Sequence, residues 1–563
     1  MTKTSDKHVV VIGAGMGGLV SALLLAHHGV RVTLLEAAAT PGGKMRRVMV
    51  GGQPVDSGPT VFTMRWVFEQ IFASVGTTLS SHVQLSPLHI LARHAWRDSQ
   101  HSANQRLDLY ADIQQSTDAI AQFSSPAEAR RFTAFCAQAK RIYQHLEAPY
   151  IRSSKPNMLN MGNDLGASGL AALASLGPFA SLWTSLGKYF HDPRLQQLFG
   201  RYATYCGASP WLAPATLMLV AHVELDGVYA VQGGMNALAV AVAKLAEARG
   251  ATLRYGCAVL RILTSQGKAS GVELASGEQL QADAVVFNGD VSALAQGLLG
   301  DAAGLRQSAH ETPRAKRSLS AVTWSVNART SGFPLVRHNV FFEPDYQSEF
   351  TDVFKRRRLP KQGTVYVCAQ DRNDADLPAV SSSHESQNGT ERLLLLVNAP
   401  PDGDLENSNS TETEACQDRS LQLLAHCGLN LDLSTAQMVQ TTPSDFNRLF
   451  PGTGGALYGQ ASHGWMTPFQ RSGATSNLPG LYLAGGSVHP GPGVPMAALS
   501  GQLAAETLMA HLVSTKPLGR VRISGGTSTP SATTVNTPSA SSLSSAACFH
   551  PTTQPHSSAK VHK

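Results

Sequence analysis

Charge is what this sequence has least of. Charged residues make up 15% of its 563 residues, against an average near ~25% for soluble domains. A surface so poor in charge predicts contact with a membrane, an oily ligand or both. The formal net charge of +6 comes from Lys and Arg scattered along the chain, which excludes the basic stripe of a nucleic-acid-binding protein. The seven cysteines form no C-x-x-C and no metal-like pairing with histidine, so reduced thiols are expected and no metal. G-x-S-x-G, H-E-x-x-H and the P-loop are all missing, which leaves hydrolytic and phosphoryl-transfer chemistries without their signatures. No apolar h-region precedes His8, and this predicts a cytoplasmic protein. An uninterrupted membrane span is missing too. Leu165 to Gly187 carries no charge, but Gly177-Pro178 breaks its middle, which favours an element that dips into the membrane surface or lines an entrance. Arg152 and Lys155 before it and Lys188 and Arg194 after it are candidates for anionic headgroups.

Glycine, by contrast, is abundant and placed with purpose. His8 to Glu36 reads as strand, turn, helix and strand. The β-branched run Val9 to Ile12 suits a parallel strand buried on both faces. Gly13-Ala-Gly15-Met-Gly17-Gly18 follows with G-x-G-x-x-G spacing. Gly13 permits the tight turn, Gly15 lets a pyrophosphate approach the backbone, and Gly18 lets the helix pack on the strand. Leu19, Leu23 and Ala26 give the helix a core face, Gly29 stops it, and Val30 to Leu35 is the second strand. Glu36 ends that strand, where a carboxylate accepts from ribose hydroxyls and repels a 2′-phosphate. The unit predicts an adenine dinucleotide. Gly42-Gly43-Lys44 makes a second tight turn with a cation near the phosphates, and Val48 to Asp56 reads as a hairpin through Gly51-Gly52, leading into Ser57-Gly58-Pro59-Thr60.

Met64 to about Leu225 has helix-like periodicity and many aromatics. Ser125 caps a helix in which Phe132, Phe135, Ala139, Ile142 and Leu146 recur at helical spacing. Strand and helix alternate again from Val228 to Asn288, with Val259 in one strand and a hairpin at Gly271 to Gly277, as in a parallel sheet carrying a small antiparallel lobe. Strands are expected at Val322–Val326, Asn339–Phe342, Thr364–Cys368 and Leu393–Val397. Ser381 to Thr390 and Asp402 to Thr413 are expected as exposed loops, and the sequons at Asn388 and Asn409 are expected to stay unused in a chain without a secretion signal. Near the end, Leu481 to Ala484 is a buried strand, Gly485-Gly486 lets backbone approach a ligand, and a helix from Val494 through Pro495 and Met496 to Met509 points its N-terminus at an anion. After Ser514 the chain is Ser/Thr/Pro-rich and reads as disordered.

The G-G-[RK] doublet at Gly42 to Lys44 and the D-x-G-P-T turn at Asp56 to Thr60 resemble the flavin-proximal turns of the amine-oxidase and carotenoid-desaturase superfamily. Strand, Gly-Gly and His489-Pro-Gly-x-Gly-Val-Pro resemble the C-terminal signature of the bacterial carotenoid desaturases. With ARHAW, FGRYATYCG, RHNVFF, YVCAQDR and GGALYG, the stretch from residue 8 to 512 resembles the 1-hydroxycarotenoid 3,4-desaturases, also called methoxyneurosporene dehydrogenases. The resemblance implies an α/β fold of amine-oxidase/GDI type. An FAD-binding Rossmann-like domain (1–75, 227–295 and 471–513) would be interleaved with a mixed α+β substrate domain (76–226 and 296–470), ahead of a tail (514–563). It implies FAD as cofactor, contacts to adenine through the backbone of Val259, and an acyclic hydroxycarotenoid as substrate. It further implies loss of two hydrogens across C3–C4, peripheral attachment to the membrane, and oxygen or a quinone as electron acceptor. His489 and Asp56 are the nearest titratable candidates for a base, with holding backbone as the competing role. Other desaturases or isomerases of the family, flavin amine oxidases and non-catalytic prenyl-lipid binders are the rival classes.

Overall fold

The computed structural model describes residues 6–97, 105–154, 180–372, 389–405 and 410–513. A five-stranded parallel sheet forms its nucleotide side, in the order Leu481–Leu483, Ala284–Phe287, His8–Ile12, Arg31–Leu35 and Thr252–Arg254. His8–Ile12 sits at the centre and is buried throughout. Because side chains alternate along a strand, Val9 and Val11 feed one apolar core while Val10 and Ile12 feed another on the opposite face. This is why the run is apolar without alternation. The first helix, Met16–His27, is buried on every side from Met16 to Ala26, not only along the expected Leu19, Leu23 and Ala26 face. The helices Met235–Ala248 and Val494–Val513 pack against it, and such flanking demands an all-round apolar helix. Its contact with the last helix is made backbone to backbone: Ser21 Oγ donates to the carbonyls of both Gly17 and Gly501 at 2.9 Å, and a Cβ on Gly501 would overlap the Gly17 carbonyl.

The expected hairpin forms from Arg47–Val50 and Gln53–Asp56. Gly51 and Gly52 carry φ of 59° and 76°, the doubly left-handed turn whose twist matches the strands and which asks for glycine. A three-stranded antiparallel lobe, Val259–Ser265, Lys268–Leu274 and Gln279–Gln281, stands beside the parallel sheet.

The other side of the molecule is a seven-stranded sheet, in the order Asn430–Thr441, Ser320–Ser331, Glu391–Ala399, Val365–Ala369, His338–Phe342, Ile90–Trp96 and Arg106–Tyr110. Its pairs are antiparallel except His338–Phe342 with Ile90–Trp96. Three of these strands were not expected. Ile90–Trp96 and Arg106–Tyr110, with the short Leu85–Pro87, lie where helices were predicted. The reason is Arg93, a charge in a fully buried strand; Asp108 on the neighbouring strand neutralises it through two bonds of 2.7 and 2.6 Å. Asn430–Thr441 lies at the sheet edge, where polar residues are tolerated. Residues 410–413, assigned to an exposed loop, instead open the helix Ser410–His426, whose Cys416, Ser420, Leu423 and Leu424 form a buried stripe.

Over this sheet lies a helical layer. Ser125 caps Pro126–Leu146 by accepting from the Glu128 amide at 3.2 Å, and Phe132, Phe135, Ala139, Ile142 and Leu146 are all buried. Of the uncharged stretch, only residues 180–187 fall among the described residues; Leu182–Tyr189 is a helix capped by Ser181. No described helix is long and apolar enough to cross a membrane. Among the flanking basic residues, Arg152 pairs with Glu147 and Arg194 with Asp192, which ties both to protein carboxylates, and Lys155 is outside the described residues. So are both sequon asparagines and the tail.

His94, within the seven-stranded sheet, is held neutral by burial and by the nearby Arg201 charge, its pKa lowered to about 3. Burial likewise lowers His489 to about 4. In the unfolded chain both titrate near ~6.5, so below that pH the unfolded state takes up protons the native state refuses. Stability is therefore expected to fall as the pH drops from about 6.5 towards 4, by on the order of 1.4 kcal/mol per pH unit for each histidine. Urea midpoints measured across that range check this; a flat profile from 6.5 to 4 would contradict it.

Candidate active site

The strand His8–Ile12 ends in the turn that shapes the site. The Gly13 amide donates to the Leu35 carbonyl at 2.8 Å, and the Gly42 amide to the Ala14 carbonyl at 2.9 Å, so the second glycine turn is laid directly against the first. A Cβ at Gly43 would come within 3.0 Å of the Gly15 Cα. Gly18 lies beneath the turn, where a Cβ would overlap the Gly13 carbonyl oxygen; Gly17 faces the Asn288 side chain and the Gly485 amide, at 2.7 and 2.8 Å from where its Cβ would stand. The helix that starts at Met16 has no acid in its first turn and no side-chain cap. Its unsatisfied amides and positive dipole end are therefore open to an anion. Glu36 is pinned by its own loop, with Oε2 accepting from the Ala14 amide at 2.6 Å and Oε1 from the Ala38 amide at 2.8 Å.

These elements open into a cavity of about 1110 Å³, above the ~300–1,000 Å³ of ordinary small-molecule pockets. Gly13, Gly15, Gly17, Glu36, Gly43, Lys44, Gly58, Pro59, Thr60, Val259, Gly485, Gly486, Val494, Pro495 and Met496 all line it. Gly18 is the one cradle glycine that does not, for it supports the turn from below. His489 and Asp56 do not line it either. His489 Nε2 lies 2.8 Å from the Ser153 carbonyl oxygen and the ring meets Tyr150 edge-on. Asp56 accepts from the Met235 amide at 2.5 Å and from Arg47 Nε at 3.2 Å, fastening the Met235–Ala248 helix to the hairpin. Asn236 holds the glycine turn by donating to the Pro41 and Met45 carbonyls.

Among the described residues, Lys44 and Arg471 on the wall have no acid within ion-pair distance. Lys44 Nζ donates to the Leu457 carbonyl at 2.6 Å, and burial lowers its pKa, with Asp290 acting in the opposite direction. The buried Arg471 donates only to carbonyls, that of Gln460 at 2.9 Å and those of Gly486 and Tyr458 at longer range; burial lowers its pKa also. A buried cation without a counter-charge is costly, so a cavity holding two of them is matched to an anionic ligand. A dinucleotide diphosphate against open helix amides is such a ligand, and the glycine backbone leaves it room.

The sequence reading missed a second polar group on the wall. Tyr202 Oη and Tyr205 Oη donate to the two oxygens of the buried Glu224, at 2.7 and 2.6 Å, and Arg201 Nη2 donates to Tyr205 Oη at 2.9 Å. Thr60 Oγ1 meets Tyr366 Oη at 2.6 Å, and His338 Nδ1 meets the same oxygen at 2.7 Å. The FGRYATYCG stretch held the signal, an arginine and two tyrosines together in an uncharged region, but its partners Glu224, His338 and Tyr366 are distant in the chain. Much of the remaining wall is aliphatic, with Leu146, Leu217, Leu219, Val220, Leu394 and Leu396 among its residues. Leu449 and Trp465 line the cavity while staying 46% and 40% exposed, so the cavity reaches solvent beside an apolar rim.

A family model described as flavin containing amine oxidoreductase matches residues 16–509. The chain is 62% identical over 526 residues to a hydroxyneurosporene desaturase of Rubrivivax gelatinosus, covering 93% of this chain and 98% of that protein. It is 44% identical over 512 residues to a hydroxyneurosporene desaturase of Cereibacter sphaeroides, with 90% and 98% covered. Among solved structures, an oxidoreductase from Methanosarcina mazei superposes with a TM-score of 0.55 at 16% identity, over 89% of this chain and 100% of that one.

Substitution of Gly15 tests the cradle. A Cβ there stands 2.9 Å from Asn288 Nδ2, on the cavity wall. Gly15→Leu is expected to lower flavin retention at least about tenfold, since each phosphate hydrogen bond lost is charge-assisted and worth about 1.5–3 kcal/mol. Flavin absorbance of the purified protein, with circular dichroism as the folding control, reads the effect; a folded variant that keeps its flavin would refute the cradle.

Proposed function

The chain belongs to the flavin-containing amine oxidoreductase family, among its carotenoid desaturases, and from that premise we propose that it introduces the C3–C4 double bond into acyclic carotenoids that bear a hydroxyl or methoxy group at C1. It is an FAD-dependent oxidoreductase acting on CH–CH bonds. The observation that carries the finer reading is a single cavity lined both by the glycine cradle and by aliphatic walls, in a chain 62% identical to a hydroxyneurosporene desaturase. An amine substrate would call for a site that stabilises a cation, whereas two of the cations on this wall have no acid of their own.

FAD, when bound, supplies the hydride acceptor that no side chain can provide. The residues of the chain supply the rest. In this reading Gly13, Gly15 and Gly17 and the Met16 helix terminus hold the pyrophosphate, with Lys44 and Arg471 offsetting its charge. Glu36, already fixed by two amides, uses its remaining lone pairs for ribose hydroxyls, and the backbone at Val259 meets adenine. Gly43, Gly58, Pro59, Thr60, Gly485, Gly486, Val494, Pro495 and Met496 surround the ring system. The aliphatic wall excludes water and keeps the polyene extended, so positioning does most of the catalytic work. His489 and Asp56 hold backbone, the former to Ser153 and the latter to Met235; neither is set to take the substrate proton.

Access fits a peripheral membrane protein of the cytoplasm. The exposed rim of Leu449 and Trp465 would rest against lipid, so a substrate dissolved in the bilayer enters without crossing water. The electrons would pass on to oxygen or to a membrane quinone.

One assay tests the whole reading. Purified protein is combined with FAD, liposomes and a 1-hydroxy acyclic carotenoid, with and without quinone and with and without air. A red shift of the polyene absorption is expected. No shift with any acyclic carotenoid, despite bound FAD, would overturn the desaturase assignment.

A further inference from the structure

Arg201 is 92% buried on the cavity wall and has far fewer partners than its chemistry requires. A guanidinium carries five N–H donors; among the described residues this one makes a single hydrogen bond, to Tyr205 Oη, and its Nε is buried with no acceptor. Glu224 accepts from Tyr202 and Tyr205 and makes no hydrogen bond to Arg201. Nearby, Tyr346 is 94% buried, lines the same cavity, lies within electrostatic reach of Arg201, and has a hydroxyl with no partner. Buried donors left unmet each cost about 1–3 kcal/mol, so the arrangement is incomplete without a ligand oxygen. The charge of that oxygen is constrained too. Burial works against the charge on Arg201 but is outweighed by its polar neighbours, Glu224 among them, so a carboxylate already stands within reach of the guanidinium and the vacancy suits a neutral acceptor better than a second anion.

The location bears on the reaction. Tyr366, which bonds Thr60 in the turn assigned to the flavin, also lies within electrostatic reach of Tyr205 and Arg201. In a 1-hydroxy acyclic carotenoid, C1 is two bonds from C3. When C3 and C4 face the oxidant, the C1 oxygen must therefore fall within a side chain's length of it. We propose that Arg201 and Tyr346 donate hydrogen bonds to the C1 oxygen of the substrate and select for carotenoids that carry it, with Tyr205 and Glu224 as positioning residues that hold the guanidinium. This inference rests on the hydroxycarotenoid reading above. Hydroxyl and methoxy end-groups would both fit such a site, since each presents an acceptor oxygen and only donors are required to meet it. A site whose buried donors go unpaired rejects the substrate that lacks the group.

The test compares the FAD-loaded full chain on a 1-hydroxy acyclic carotenoid and on its hydrocarbon counterpart. The wild type is expected to favour the alcohol. Tyr346→Phe, which removes an oxygen with no partner in the protein, is expected to cut that preference about tenfold, and Arg201→Met about a hundredfold, as for a neutral and a charged hydrogen bond; Arg201→Lys keeps part of it. Equal losses on both substrates, an unchanged preference in Tyr346→Phe, or loss of FAD from Arg201→Met would each overturn the inference. A binding arm separates it from the parent reading. Quenching of flavin fluorescence by a tertiary terpenoid alcohol and by its deoxy analogue is titrated in the same variants. If the wild type turns over no carotenoid, the desaturase reading falls, while a selective weakening of alcohol binding in the variants still sustains the oxygen-binding role and its absence refutes it.

Discussion

The whole arrangement depends on backbones touching where no Cβ fits. At the end of the central strand, Gly17 abuts Asn288 and the Gly485 amide, Gly18 lies under the Gly13 carbonyl, and Gly501 sits over the Gly17 carbonyl. Three segments separated by hundreds of residues thereby meet at one helix terminus. Asn288 joins them with a bond of 3.2 Å from Nδ2 to the Gly13 carbonyl. Any side chain at these points would force the last helix away from the first and part the two walls of the cavity, because packed interiors do not yield by an ångström without cost. The dinucleotide seat and the packing of the sheet are thus one feature. That is why the site lies at the carboxyl ends of the strands, where open α/β sheets place ligands.

This dependence also explains which parts could be read in advance. Glycine spacing is local, and so are the β-branched run at Val9 to Ile12, the Gly51-Gly52 turn and the Ser125 cap; each prescribes a shape from its own neighbours, and each forms as expected. What escaped was settled between distant residues. Arg93 looks foreign to a buried strand until Asp108 arrives beside it. Asn288 reads as the end of a strand, and only the folded chain shows it wedged among Gly13, Gly15 and Gly17. Arg471 carries no local mark of being a buried cation. Residues 410–413 look like loop because Ser, Thr and Glu are polar, while the apolar stripe that makes them helical begins only at Cys416. The motifs thus named the residues that line the cavity at the glycine turns, and long-range pairing hid the polar groups on the rest of its wall.

The cations on the cavity wall make two different electrostatic demands. Among the described residues Lys44 and Arg471 bond only to neutral carbonyls; Asp290 favours their charge from beyond ion-pair distance, while burial presses both towards the neutral form. An anion relieves them. Arg201 differs: Glu224 and the surrounding hydroxyls favour its charged form, and its hydrogen bonds are left largely unmet. A neutral oxygen relieves it. A diphosphate beside Lys44 and Arg471 and a neutral oxygen beside Arg201 would satisfy both demands together. A neutral alcohol in the place of the diphosphate would leave two buried cations without an anion. Unfilled charge and unfilled hydrogen bonds are thus distinct features of one wall, and each calls for its own kind of ligand atom.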